Sequence, residues 1–323
     1  MSIQTIAKQL KIDKIPFVTP IYRKAQDYLA TNYNREVVID ICTVCKSNCV
    51  YCLHQREKMQ KPQIMDSETF FKIAEILERD NVKKVHLFLS GEPFLNPAIY
   101  YMINLITYGV GIKCTIGTRL NAIINFTELE TVVKVKHSTL EFLITIDSIT
   151  KMKQISPGMN KQLVINNIQQ LSKLLKYKNV KFTFVSVITK VNEDSMYEVR
   201  DFVKSYGFNN WYPESMGYYM WKLAPQLELD IISKLITSNE HFKDRFDIVN
   251  GEFITKRIHC NAQIPTIAPN GDVSICCHDM LHTINAGNIL EAGSLNEIIK
   301  SEKYQKLKKL GLNKQLEICK SCN

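Results

Sequence analysis

The chain has 323 residues, 45% hydrophobic and 23% charged, with 41 lysines and arginines against 32 acidic residues for a formal charge of +9. That balance is ordinary for a soluble globular protein with a full-sized core. No run of 18 apolar residues occurs and the opening "MSIQTIAKQLKIDK" lacks a signal-peptide core, so a cytoplasmic protein without membrane contact is expected.

The first 35 residues carry a helical pattern ("YRKAQDYLATNY") and no evident chemistry. From residue 36, short apolar runs alternate with helix-period segments. Strands are expected at 36–41, 85–89, 113–116, 142–146, 182–187 and 210–213. Helices are expected at 67–79, opened by Asp66 or Ser67, at 162–175, and at 193–207, which ends on a glycine. Such alternation with near-continuous apolar strands means parallel βα units buried on both faces. Six strands are too few for a closed eight-stranded barrel. The expected fold is therefore α/β, a partial (β/α)6 barrel over 36–222 behind an N-terminal helical extension, 1–35.

Residues 223–259 read as a connecting helical segment and 260–323 as a small β-hairpin/helix unit. Its hairpin signal, "IAPNGDVSICC", turns on Asn270-Gly271. The helix after it is capped by Ser294, with Glu297 three residues on. The basic stretch "KSEKYQKLKK" at 300–309 reads first as a solvated helix face and second as a contact for an acidic partner. No recognition motif supports binding to nucleic acid.

Ten cysteines in a chain without a leader do not suggest a disulfide framework. Four lie at 42–52, five at 260–322, and Cys114 stands alone, which suggests two metal sites. In "DICTVCKSNCVYCLHQ" only three residues separate Cys45 from Cys49, too few for two zinc knuckles around one ion. Without Cys42, which reads as a buried strand-end thiol, Cys45-x3-Cys49-x2-Cys52 remains. Three thiolates on a short loop can hold three irons of a 4Fe–4S cube and leave the fourth open.

Cys45-x3-Cys49-x-Tyr51-Cys52, directly after a strand, resembles the CxxxCxΦC signature of the radical S-adenosylmethionine (SAM) superfamily. The resemblance implies that Cys45, Cys49 and Cys52 ligate a SAM-binding 4Fe–4S cluster. Ser90-Gly91-Glu92-Pro93 stands where that family has its GGE-type motif, with serine for the first glycine; Glu92 would meet the amino group of SAM. Further cofactor contacts implied are Tyr51, Thr118 and Asn121 after the third strand, Thr145, Asp147 and Ser148 after the fourth, and Ser186 and Asn192 at the fifth. Independently of any family, Cys45, Glu92, Thr118, Asp147 and Thr189 each lie just past the carboxyl end of a predicted strand. Parallel βα folds build their ligand sites from the loops at that rim.

By spacing alone, Cys260, Cys276, Cys319 and Cys322 could hold zinc or a cluster. Together with Gly-x4-Cys, a "GN" before a helix and the closing CxxC, they resemble the twitch/SPASM extension of radical SAM enzymes. That implies one auxiliary 4Fe–4S cluster ligated by all four. Cys277 could replace Cys276 as a ligand, stand by as a buried thiol, or return a hydrogen atom to substrate. His278 and Asp279 read as turn residues. The aromatics Trp211, Tyr212, Tyr218, Tyr219 and Trp221 read first as packing and second as pocket lining.

The resemblance further implies an enzyme that cleaves SAM to a 5′-deoxyadenosyl radical, with a flavodoxin- or ferredoxin-type electron donor and a small-molecule or peptide substrate. Dehydrogenation of a small metabolite or sugar leads. Epimerisation with Cys277 as hydrogen donor and ribosomal-peptide cross-linking are the alternatives, with a zinc-stabilised binding module as a distant fourth.

Overall fold

The computed structural model describes residues 35–52, 62–135, 139–215, 235, 237, 246–249, 252–255, 264–313 and 315–320. The expected N-terminal helix, most of the connecting segment, Cys260, Cys322, Tyr218, Tyr219 and Trp221 lie outside them. No helix among the described residues is long and apolar enough to cross a membrane.

Six parallel strands run in chain order: β1 (Glu36–Ile39), β2 (Lys84–Leu87), β3 (Lys113–Thr118), β4 (Leu140–Thr145), β5 (Val180–Ile188) and β6 (Trp211–Ser215). Helix α1 (Ser67–Arg79) starts where Asp66 accepts from the Thr69 amide, and it buries Phe70, Ile73, Ala74 and Leu77 at helical spacing. Helices α2 (Ile99–Asn104), α3 (Phe126–Lys134), a short α4 (Met152–Ile155), α5 (Lys161–Ser172) and α6 (Glu198–Lys204) follow. The last is shorter than its pattern suggests. Asn192, which could have capped that segment, spends its side-chain oxygen on the Thr189 amide and hydroxyl instead.

The sheet is a partial barrel, and its two faces differ. On one face the row Val85, Cys114, Leu140 and Val180 and the next row, Leu87, Ile116, Phe142 and Phe182, are buried. Phe142 stacks between Phe94 and Phe182, with ring centroids 6.5 Å and 5.2 Å apart. The other face presents half-buried His86, Glu141, Gly117, Leu143 and Thr183 alongside Thr115. A closed barrel would fill that interior with packed side chains; here it stays open and polar.

The C-terminal hairpin joins this same sheet. Strand β9 (Thr266–Ile267) pairs parallel with β1, and β10 (Asp272–Ser274) and β11 (Gly287–Asn288) add antiparallel, giving a nine-stranded order β11-β10-β9-β1-β2-β3-β4-β5-β6. Its turn uses Gly271 at φ +87°, a left-handed position that suits glycine. A separate antiparallel pair, β7 (Phe246–Val249) and β8 (Glu252–Thr255), lies in the connecting segment. Helices α7 (Ile289–Ala292), α8 (Leu295–Lys300), α9 (Glu302–Leu312) and α10 (Glu317–Lys320) close the chain. Ser294 caps α8 as expected. The same hydroxyl also bonds the Asp80 carboxylate at 3.0 Å, and Arg79 reaches the Gly293 carbonyl at 2.7 Å, so α8 is strapped to the end of α1.

Candidate active site

Past β1 the chain makes one bridge, Cys42 to Ile64, and enters the cysteine loop. Cys42 is the buried strand-end thiol that was expected, and burial pushes its pKa up to about 11. Two neighbouring segments hold the loop by its backbone. The Glu92 amide donates to the Val44 carbonyl (2.8 Å), the Gly158 amide to Ser47 (3.0 Å), and Val50 donates to Ile155 (2.8 Å). Two of these approaches require glycine. A Cβ on Gly91 would lie 2.1 Å from the Cys42 carbonyl oxygen, and one on Gly158 would lie 1.9 Å from that of Lys46.

Cys49 is buried, and the Ser156 hydroxyl donates to its sulfur at 3.3 Å. Burial raises the pKa of this thiol, and the Arg119 guanidinium is the main influence pulling it back. Arg119 follows β3 and organises the rim. Its Nη1 donates to the Tyr51 hydroxyl (2.8 Å), and its Nη2 donates to Asp147 (2.7 Å) and Ser156 (2.9 Å). Tyr51 in turn donates to the same Asp147 oxygen at 2.8 Å, while the Val187 amide holds the other Asp147 oxygen at 3.0 Å. Burial opposes the guanidinium's charge, yet Asp147, Cys49 and Tyr51 hold its pKa well above the ordinary value.

Glu92 is buried at the end of the second βα loop. It accepts from the Thr118 hydroxyl (2.7 Å), the Arg119 amide (2.9 Å) and the Phe94 amide (3.4 Å). Among the described residues no cation neutralises it by a salt bridge, and burial raises its pKa above 4.5 despite these donors. A buried carboxylate in that condition suits an incoming ammonium group.

The remaining rim residues divide by what their polar atoms already do. Asn121 donates to Ser47 and to the Gly158 carbonyl and accepts from the Asn160 amide, tying the cysteine loop to residues 158–160. Asn192 donates to the Asp147 and Val187 carbonyls at 2.7 and 3.0 Å, bracing the ends of β4 and β5. Ser148 donates to Glu198 (2.8 Å). Ser186 is fully buried, donates to Ile146 and accepts from the Trp211 indole. These four are committed to the frame. Thr145, half-buried at the top of β4, stands on the open face.

Ser90 donates to Asp40, and the same carboxylate oxygen lies 3.0 Å from His282 Nε2 in the C-terminal region. In that region Cys276 is buried two residues past β10, and Cys277 is half-buried. Asp279 is fully buried and fixes the following loop, accepting from the Ser274 hydroxyl and from the amides of Thr283 and Ile284. Helix α9 packs against this region. A Cβ on Gly311 would meet Ile275 at 3.3 Å and the Cys319 sulfur at 3.4 Å. Tyr304, its pKa raised by burial first, also feels Cys276. Cys276 and Cys319 thus come to one side of the same helix, whose outer face exposes Lys303, Lys306 and Lys309.

The family model of the radical SAM superfamily matches residues 39–203, just over half of the chain. The chain belongs to the radical SAM superfamily. A second model, described as the SPASM iron–sulfur cluster-binding domain, matches residues 260–323. No curated protein sequence matches. Among solved structures, BtrN in complex with AdoMet and 2-DOIA is 13% identical, with 90% of this chain and 92% of that one covered at a TM-score of 0.54. The structure of anSMEcpe with AdoMet and a peptide is 15% identical, with 85% and 82% covered at 0.59. Streptococcus suis SuiB bound to its precursor peptide SuiA is 15% identical, with 88% and 71% covered at 0.61. At these identities the likeness is one of fold.

A radical SAM enzyme uses SAM and 4Fe–4S clusters, and the residues present suit that use. Among the described residues no three Cys, His, Asp or Glu side chains enclose a single-ion site. Cys276, two residues past β10, falls toward the Glu36 end of β1, whereas Cys45 lies past its carboxyl end.

Arg119, Asp40 and His282 are the site residues that sequence reasoning missed. A signal existed for two of them: Arg119 immediately follows a strand end, and Asp40 interrupts the apolar run "VVIDI". Nothing local marks His282, 242 residues away from its partner.

Proposed function

We propose that this chain catalyses the two-electron oxidation of an alcohol carbon in a small metabolite or sugar. The observation that carries the reading is the second thiol set, Cys276 and Cys319 gathered under α9 at a distance from the Cys45 loop. When bound, SAM and a cluster on Cys45, Cys49 and Cys52 supply a 5′-deoxyadenosyl radical that removes one hydrogen atom from an unactivated carbon. Cys260, Cys276, Cys319 and Cys322 would hold a fully ligated auxiliary cluster, which could accept the remaining electron while the hydroxyl proton leaves to solvent, completing the ketone.

Around these centres, Glu92 receives the methionine amino group, with Thr118 and the Arg119 amide fixing its two oxygens. Gly91 and Gly158 let the neighbouring backbones clamp the cysteine loop. Thr145 and the open polar face, with Glu141, Thr183 and His86, receive hydroxyl groups of the substrate. The lysines exposed on α9 suit an acidic flavodoxin- or ferredoxin-type carrier next to the auxiliary thiols. BtrN was solved with 2-DOIA, and anSMEcpe and SuiB with peptides, so this fold serves both substrate kinds.

The test is anaerobic turnover against a panel of sugars and cyclitols deuterated at each carbinol carbon. Deuterium in 5′-deoxyadenosine together with a ketone product supports the reading. Deuterium in 5′-deoxyadenosine with a product at the substrate's oxidation level, carrying solvent-derived hydrogen, contradicts it and selects epimerisation with Cys277 as donor.

A further inference from the structure

The Arg119 guanidinium lies one hydroxyl away from Cys49. Its Nη2 donates to Ser156 Oγ at 2.9 Å, and that hydroxyl donates to the Cys49 sulfur at 3.3 Å. The sulfur and the guanidinium are therefore within about 6.2 Å, the sum of the two bonds, and both groups are withdrawn from solvent. Charges so placed are weakly screened. A hydroxyl that accepts from a cation is also a stronger donor to its own acceptor.

We infer that Arg119 is a positioning residue whose fixed positive charge, relayed by Ser156 to Cys49, sets how readily the iron–sulfur centre of the cysteine loop takes up an electron. The inference rests on the reading that Cys45, Cys49 and Cys52 hold that centre. Cluster potentials respond to net charge and to hydrogen bonds on the sulfurs. Reduction adds one electron from an external donor, and a cation nearby favours the more negative product.

The remaining contacts of Arg119 argue against a simple alternative, that it binds SAM directly. Nη1 is given to Tyr51, Nη2 to Asp147, Ser156 and the Met159 sulfur, and its amide to Glu92. Only Nε lacks a partner among the described residues, and it is buried. Asp147 is the counter-charge. It takes bonds from both Arg119 and Tyr51, so the loop feels the difference between one cation and one anion.

That balance supplies the test. The full chain is reconstituted anaerobically and reduced stepwise under EPR, following the signal that changes on adding SAM. In Arg119→Gln, the reduced-to-oxidised ratio at the wild-type midpoint falls about tenfold, which for one electron is about 59 mV to lower potential. Arg119→Lys keeps the charge and stays near wild type. Asp147→Asn shifts the opposite way, and Arg119→Gln/Asp147→Asn returns toward the wild-type midpoint. A role in holding the loop's shape alone would leave the midpoints together, or move both single variants in the same direction. Either result overturns the inference, as does a lower SAM affinity in Arg119→Gln with the midpoint unmoved. If Arg119→Gln fails to retain iron, the Asp147→Asn shift alone decides the matter. A wild-type protein without any SAM-sensitive signal would instead refute the reading of the cysteine loop.

Discussion

His282 Nε2 stands 3.0 Å from Asp40 Oδ2, a contact between residues 242 apart in sequence. Ser90, in the segment that carries Glu92, donates to the same oxygen. One carboxylate at the end of β1 therefore joins the C-terminal region to the proposed SAM-binding loop. The other Asp40 oxygen and His282 Nδ1 are buried without a partner among the described residues. His282 also sits at φ +51°, an uncommon conformation for a non-glycine residue.

Replacing His282 by Ala removes a bond to a buried acid, which costs about 2 kcal/mol. Replacing Asp40 by Asn weakens the same bond, so the double variant loses less than the sum of the singles. Urea unfolding of the anaerobic protein measures both. Strict additivity would show that the contact contributes nothing between the two regions.

Gly91→Ala and Gly158→Ala force a Cβ into backbone carbonyls at 2.1 and 1.9 Å, and neither carbonyl belongs to a flexible side chain. Both variants are expected to lose the iron of the cysteine loop after reconstitution, about half of the total if the C-terminal cysteines keep theirs. Gly109→Ala meets only the tip of Leu105, at 3.1 Å, and serves as the tolerated control. Iron content like wild type in Gly158→Ala would mean that the loop is not held as described.

Glu92 carries a pH signature. Burial raises its pKa in the folded protein above 4.5, so between 4.5 and that raised value the folded state binds more protons than the unfolded one. Stability from this group is then present at acid pH and is lost as pH rises through the folded pKa. Without SAM, Glu92→Gln is expected to be more stable than wild type at pH 7, the difference shrinking as pH falls toward 4.5. Its SAM affinity falls about 10- to 100-fold, the loss of a bond between charged groups. Thermal melts across pH and equilibrium binding check the two halves separately.

Asp80 holds the Ser294 hydroxyl and the Asn296 amide, each at 3.0 Å. Ser294→Ala removes both the cap of α8 and this strap, for about 1–2 kcal/mol. Asp80→Ala leaves the cap intact and is expected to cost less. Equal losses would show that the cap has no separate value.

The barrel was legible because its strands are buried on the helix-covered face and alternate with helix patterns, the first of them opened by its Asp66 cap. The cysteine loop and Glu92 were legible from spacing and position. Long-range pairing was not. No periodicity says that a two-residue strand at Thr266 will pair with Val38, or that the hairpin will extend the barrel sheet. Position in the sequence does not reveal that the polar atoms of Ser186, Asn192 and Asn121 are already bonded to neighbouring segments. Arg119 escaped notice for the converse reason. A lone arginine resembles a surface charge until tertiary structure puts Tyr51, Asp147 and Ser156 around it.

The proposed function requires that the chain carry two separate iron–sulfur centres. Its most direct test is to replace Cys45, Cys49 and Cys52 by Ala, purify the protein without oxygen, and count iron, sulfide and zinc per chain. About four irons and four sulfides are predicted to remain, held by the C-terminal cysteines. About one zinc and no iron would contradict the claim, making those cysteines a structural clamp and leaving the opening loop as the sole redox centre.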